Sequence, residues 1–128
     1  MTTARRFEGN TPVSGLYDSA TLHPGGYREI DPRRVAQAGR IARVVDVREP
    51  AEFVGDLGHA PGAEIVPLAT LERAARNWDK EQEIVLVCRS GARSARAAAL
   101  LALLGFRRPM NMVGGMIAWN QARLAVER

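Results

Sequence analysis

The chain has 128 residues, 46% hydrophobic and 25% charged, with a net charge of +4 that comes almost entirely from arginine, Lys80 being the sole lysine. That length supports one domain with one modest core, and the composition is ordinary for a globular protein. No apolar stretch approaches the roughly 20 residues that span a bilayer, the arginines are scattered from Arg5 to Arg128 without a basic stripe interleaved with aromatics, and one cysteine permits no internal disulfide. Membrane and nucleic-acid partners are therefore not expected, and a reducing, cytoplasmic setting is.

Residues 1–26 carry Gly9, Pro12, Gly15, Pro24 and the pair Gly25-Gly26 without sustained periodicity. They read as a tail, or as an extension lying on a domain that occupies 27–128. The first residues, M-T-T-A-R-R-F, have no apolar segment behind their arginines and do not read as a secretory signal. Residues 27–30 form a short strand. Asp31-Pro32 is an N-cap with proline at the first helical position, and Gly39 closes that helix. Residues 41–47, I-A-R-V-V-D-V, are a β-branched strand. A short helix over 50–54 gives way to a loop broken by Gly55, Gly58, Pro61 and Gly62. Residues 64–66 are a strand ended by Pro67.

A helix is expected over 68–76, with Leu68, Leu71 and Ala75 at helical spacing. A polar turn over 79–82 leads into 83–87, the most apolar strand and so the central one. Residues 94–104 are a helix closed by Gly105, 110–113 a last strand, and Gly114-Gly115 turns into a final helix expected to run through Val126. Strands alternate with helices throughout, which calls for a mainly parallel sheet covered on both faces.

Cys88 falls at the carboxyl end of the central strand, where open α/β sheets place their ligands. The segment C-R-S-G-A-R-S then wraps into a helix. Gly91 permits the backbone to turn successive N–H groups inward as an anion-binding nest, and Ser94 stands where the helix begins. A helix end is worth at best about 2 kcal/mol, and usually well under that, against about 1.36 kcal/mol for one pKa unit. The dipole alone does not make Cys88 a thiolate at neutral pH. Nest hydrogen bonds or the flanking Arg89 and Arg93 are required, and the same ring suits an anionic substrate.

Three stretches in order resemble the rhodanese (sulfurtransferase) family, in its single-domain form: D-V-R-E-P-A-E-F (46–53) with G-H-A-P-G-A (58–63), I-V-L-V-C-R-S-G-A-R-S (84–94), and G-G-M-I-A-W (114–119). The resemblance covers 27–126. It implies a three-layer α/β domain with a mainly parallel five-stranded sheet, helices on both faces, and no metal or other cofactor. It implies that Cys88 accepts a sulfane sulfur from a small donor such as thiosulfate, becomes a persulfide, and yields the sulfur to cyanide or a thiol, by two-step covalent catalysis. The binding loop would be Arg89, Ser90, Gly91, Ala92, Arg93 and Ser94. Arg89 resembles thiosulfate-type loops and Ser90 the mercaptopyruvate type. Related phosphatases and arsenate reductases use C-x5-R; the C-x4-R spacing here makes a smaller cradle, suited to one sulfur atom. A persulfide carrier or redox-responsive binding module that serves a protein acceptor, with little turnover on small molecules, is the alternative, motivated by residues 1–26, and an arsenate reductase or phosphatase of the same fold is a third, less favoured one.

This chain departs from the family pattern in having Val54-Gly55-Asp56-Leu57 where many members have a shorter connection, and Ala60 where a larger aliphatic is common. Asp46 and Arg48 read as a supporting pair that fixes the loop's neighbours. His59 reads as a backbone hydrogen-bonding group rather than a general base. Together with His23 and Cys88 it makes no metal site. Asp18, Glu29 and Glu52 form no paired-carboxylate arrangement.

Overall fold

The computed structural model describes residues 15–128. In chain order these form α1 (Gly15–Ser19), β1 (Thr21–Leu22), β2 (Arg28–Ile30), α2 (Pro32–Ala38), β3 (Arg43–Asp46), α3 (Pro50–Phe53), β4 (Glu64–Ile65), α4 (Leu71–Ala74), β5 (Glu83–Val87), α5 (Ala92–Leu103), β6 (Arg108–Met112) and α6 (Gly115–Gln121). One sheet has the order β1-β2-β6-β5-β3-β4. Five strands are parallel, as expected, and β1 adds a sixth, antiparallel to β2 at one edge.

β5 is central because its last four residues have no side chain that needs water. Ile84, Val85, Leu86 and Val87 are all 0% exposed. Their alternation along the strand feeds two cores. Val85 and Val87 join Val35 of α2 and Met116 and Trp119 of α6 on one face. Ile84, Leu86 and Cys88 join Leu71 of α4 and Ala97, Ala98 and Leu101 of α5 on the other. The alanines of α5 let it lie close to the sheet, and each fully buried aliphatic contributes about 1.5–3 kcal/mol. Asp31 caps α2 as expected, its Oδ1 accepting from the Arg33 N–H at 2.8 Å.

Residues 15–26 include α1 and β1, elements that the sequence pattern does not signal. Leu16 is buried in the core beside α2, and the Tyr17 N–H donates to Glu83 Oε2 at 2.7 Å. Two expected helices are shorter than their patterns. The 68–76 segment is α only at Leu71–Ala74, with 3-10 turns at Leu68–Thr70 and Ala75–Asn77 on either side. α6 stops at Gln121 because Arg123 takes a positive φ of 58°. The chain then runs back to form a bridge between Glu127 and His59. No helix among the described residues is long and apolar enough to cross a membrane.

Leu101→Ala is expected to cost about 2–5 kcal/mol in urea unfolding. Leu103→Ala, two residues on in the same helix but 86% exposed, should stay within about 0.5 kcal/mol of the parent.

Candidate active site

β5 delivers Cys88 to the carboxyl edge of the sheet, and the residue is 1% exposed. Pairing between β3 and β5 continues to the last residue before it, through Val47 N–H to Val87 O at 2.8 Å. The loop then turns at Gly91, whose φ of 107° caps α5. α5 therefore begins at Ala92, two residues before its expected start. Gly91 N–H donates to Cys88 Sγ at 3.1 Å, and Ser94 Oγ lies 3.2 Å from the same sulfur. Burial pushes the Cys88 thiol up. Hydrogen bonds from the Ser94 hydroxyl and from the N–H groups of Ser94, Gly91 and Ser90 outweigh it, and the net is a thiol below its ordinary value. The anion is thus held by short-range donors more than by charge.

The two loop arginines part company. Arg89 is exposed, as are Ser90 and Ala92. Arg93 turns back to Glu52 in a two-pronged ion pair, Nη1 to Oε1 and Nη2 to Oε2, both 2.9 Å. Its charge is spent on a carboxylate. Glu52 had no assigned role in the sequence pattern. The Arg93 hydrogen bonds pull its carboxyl down from an ordinary 4.5 to about 2; partial burial opposes them, and the Glu49 N–H together with the charges of Arg93 and Arg48 adds to the lowering. The signal that could have found it is the capping box, in which Glu49 N–H donates to Glu52 Oε1 at 3.0 Å and fixes that side chain at the start of α3.

Asp46 and Arg48 sit at the end of β3, 0% and 1% exposed. Arg48 Nε and Nη2 donate to the two Asp46 oxygens at 2.9 and 2.7 Å, and Nη2 also donates to Gly58 O at 2.8 Å. The pair pins the 54–58 segment against the sheet. Gly55, Asp56 and Leu57 of that segment, with Arg48, Glu52 and Arg89, line a cleft of about 160 Å³ beside the loop. His59 Nδ1 lies 2.7 Å from Phe53 O, and its ring stacks on Phe53 with centroids 3.6 Å apart. Nδ1 therefore carries the proton and donates it to that carbonyl.

Asn111, another residue without a role in the sequence pattern, reaches the site from β6. It is 3% exposed, and its Oδ1 accepts from Ser94 Oγ at 2.6 Å. A polar residue between Met110 and Met112, in a strand beside the central one, was the available signal.

α6 supports the loop from behind. Met116 N–H donates to Cys88 O at 2.8 Å and Ile117 N–H to Arg89 O at 3.0 Å. Only glycine fits at the junction: a Cβ on Gly115 would lie 2.5 Å from Cys88 O and from the Arg89 carbonyl carbon and oxygen.

A model of the rhodanese-like domain matches residues 33–122. A sulfurtransferase of Allochromatium vinosum is 37% identical over 83 residues, which is 65% of this chain and 76% of that one. A Bacillus subtilis protein described as a candidate sulfur carrier is 37% identical over 77 residues, 60% of this chain and 40% of its own length, so this chain spans less than half of that relative. Among solved structures, the human single-domain sulfurtransferase superposes with a TM-score of 0.65 at 27% identity, over 73% of this chain and 95% of that one.

Glu52→Gln is expected to cost about 1–2 kcal/mol at neutral pH, less than the full lowering would suggest because both partners meet water. A depressed carboxyl stabilises the fold above its unfolded value and stops doing so as pH falls through its folded one. The stability gap between parent and variant, read by urea unfolding, should therefore close between about pH 4.5 and about pH 2.

Proposed function

The chain belongs to the rhodanese-like domain family, and on that premise we propose that it moves a sulfane sulfur from a donor such as thiosulfate to a thiophilic acceptor, cyanide or a thiol, through a persulfide on Cys88. The observation that carries this reading is the convergence of the Gly91 N–H and the Ser94 hydroxyl on a buried Sγ at the start of a 12-residue helix.

In the first step the Cys88 thiolate attacks the outer sulfur of thiosulfate. A Cys88–sulfur bond forms, the sulfur–sulfur bond of the donor breaks, and its electron pair leaves with sulfite. The persulfide anion that remains carries one negative charge on its terminal sulfur. The N–H groups of the loop from Arg89 to Ser94 hold that sulfur. In the second step cyanide attacks the terminal sulfur, thiocyanate leaves, and the thiolate is regenerated; a thiolate acceptor leaves as its own persulfide. Charge and electrons balance in both steps without a cofactor. Because Arg93 is engaged by Glu52, the exposed Arg89 meets the donor's anionic end. The reading extends to a reducing, cytoplasmic setting, consistent with a lone free thiol.

A second reading, that the domain passes its sulfur to a protein partner with little turnover on small acceptors, is favoured by the Bacillus relative described as a candidate sulfur carrier. It expects fast persulfide formation and slow release to free thiols; brisk multiple turnover with free thiols counts against it.

Incubation with thiosulfate is expected to add one sulfur, about 32 Da, to Cys88 by intact mass and peptide mapping, and cyanide should remove it as thiocyanate. Cys88→Ser should lose both signals. Sulfur transfer that survives this substitution overturns the proposal.

A further inference from the structure

Ser94 Oγ has one hydrogen and two acceptors within reach, Cys88 Sγ at 3.2 Å and Asn111 Oδ1 at 2.6 Å. Which acceptor receives it depends on which end of the Asn111 amide faces Ser94. That end is fixed from the far side. Asn111 lies opposite Glu29 across the β2–β6 pairing, and its Nδ2 points to Glu29 Oε2 at 3.4 Å. An ionised carboxylate only accepts, so the amide must turn its nitrogen to Glu29 and its oxygen to Ser94. The amide oxygen then draws on the Ser94 hydrogen, because no other donor is aimed at it among the described residues.

We propose that Asn111 is a positioning residue: its amide oxygen, oriented by Glu29, competes with Cys88 Sγ for the one hydrogen of Ser94 and so decides where that hydrogen points at each stage of the reaction. When Cys88 is a neutral thiol, the amide oxygen is the better acceptor and takes the hydrogen. When Cys88 is a thiolate, the charged sulfur takes it. When the negative charge has moved one atom outward, to the terminal sulfur of a persulfide, Sγ is again a weak acceptor and the hydrogen swings back to Asn111. A buried hydroxyl is thereby satisfied in every state, and its bond to Sγ is made when that sulfur is the nucleophile.

The role of Asn111 rests on the reading of Cys88 as the sulfur-bearing group. Its test reads the bare thiol without any sulfur donor, so either can fail without the other. The rate of alkylation of Cys88 by iodoacetamide is followed against pH; the chain has no other cysteine. Ser94→Ala removes the donor to the thiolate, and its thiol midpoint should rise by roughly 0.5 to 1 pH unit. Asn111→Leu removes the competing acceptor, which had favoured the neutral thiol, and its midpoint should fall by roughly 0.5 to 1 pH unit, a direction that loosened packing alone does not produce. In the Ser94→Ala background, Asn111→Leu should leave the midpoint where Ser94→Ala put it, since the amide acts through that hydroxyl.

Glu29→Leu, at a half-buried position, provides a second variant should Asn111→Leu not fold. It removes the acceptor that holds the amide nitrogen and lets that nitrogen turn to Ser94, and its midpoint should also fall, with the fall absent in the Ser94→Ala background. A rise or no change in Asn111→Leu, or in Glu29→Leu if that is the variant measured, overturns the proposal. A fall that persists undiminished without the Ser94 hydroxyl does so as well.

Discussion

Two hydrogen bonds from the start of α6 govern the site. Met116 and Ile117 offer the free N–H groups of a helix end to the carbonyls of Cys88 and Arg89. In a planar trans peptide the C=O and the following N–H point in opposite directions. Drawing those two carbonyls back toward α6 therefore turns the N–H groups of Arg89 and Ser90 forward, to the side of the sheet where Sγ lies. The Ser90 N–H is one of the groups that lower the Cys88 thiol. The close approach demands Gly115, which has neither a side chain to collide with the loop nor a penalty for its φ of 57°. One end of the helix thus shapes a cradle on the opposite face of the backbone that it touches.

Around that cradle, charge is cancelled in pairs. Asp46 and Arg48 neutralise one another in the interior, where leaving either alone would cost several kcal/mol. Glu52 and Arg93 do the same at the rim. What remains at Sγ is a set of dipoles: backbone N–H groups, a hydroxyl, and behind the hydroxyl an amide. Dipoles fixed by the fold need no reorganisation when charge arrives, and they lose little to salt because they act within a bond length or two. Counting loop arginines thus overstates the positive field that a ligand meets.

Local features of the fold were legible in the sequence because their causes are local. The unbroken apolar run at 84–87, the Asp31-Pro32 cap and the glycine after Cys88 each dictate structure within a few residues. The shortfalls have causes that lie elsewhere in the chain. α6 stops before Val126 because the chain must reverse at Arg123 to bring Glu127 to His59. Residues 15–26 show no periodicity, since an edge strand of two residues and a five-residue helix are too short to display one. Within the site, Cys88, Gly91 and Ser94 stand at fixed offsets in one loop and the first turn of the helix it opens. Glu52 and Asn111 reach it from 41 and 17 residues away, separations at which residue type says little until register is known. The Asp46–Arg48 pair was visible because its members are two residues apart where β3 ends.

The depth of Cys88 has a consequence for wear. At 1% exposure the thiol sulfur is shielded by its own loop, and oxidants in bulk solvent have little access to it. A sulfur–sulfur bond is about 2 Å long, so on the proposed chemistry loading the site advances the reactive atom by about that distance, toward a rim formed by the exposed Arg89 and Ser90. On that chemistry the resting domain would hide its nucleophile and the loaded one would present its cargo. Oxidative damage is then steered to the outer sulfur, a reversible cap on the cysteine, while the irreplaceable inner sulfur stays behind it.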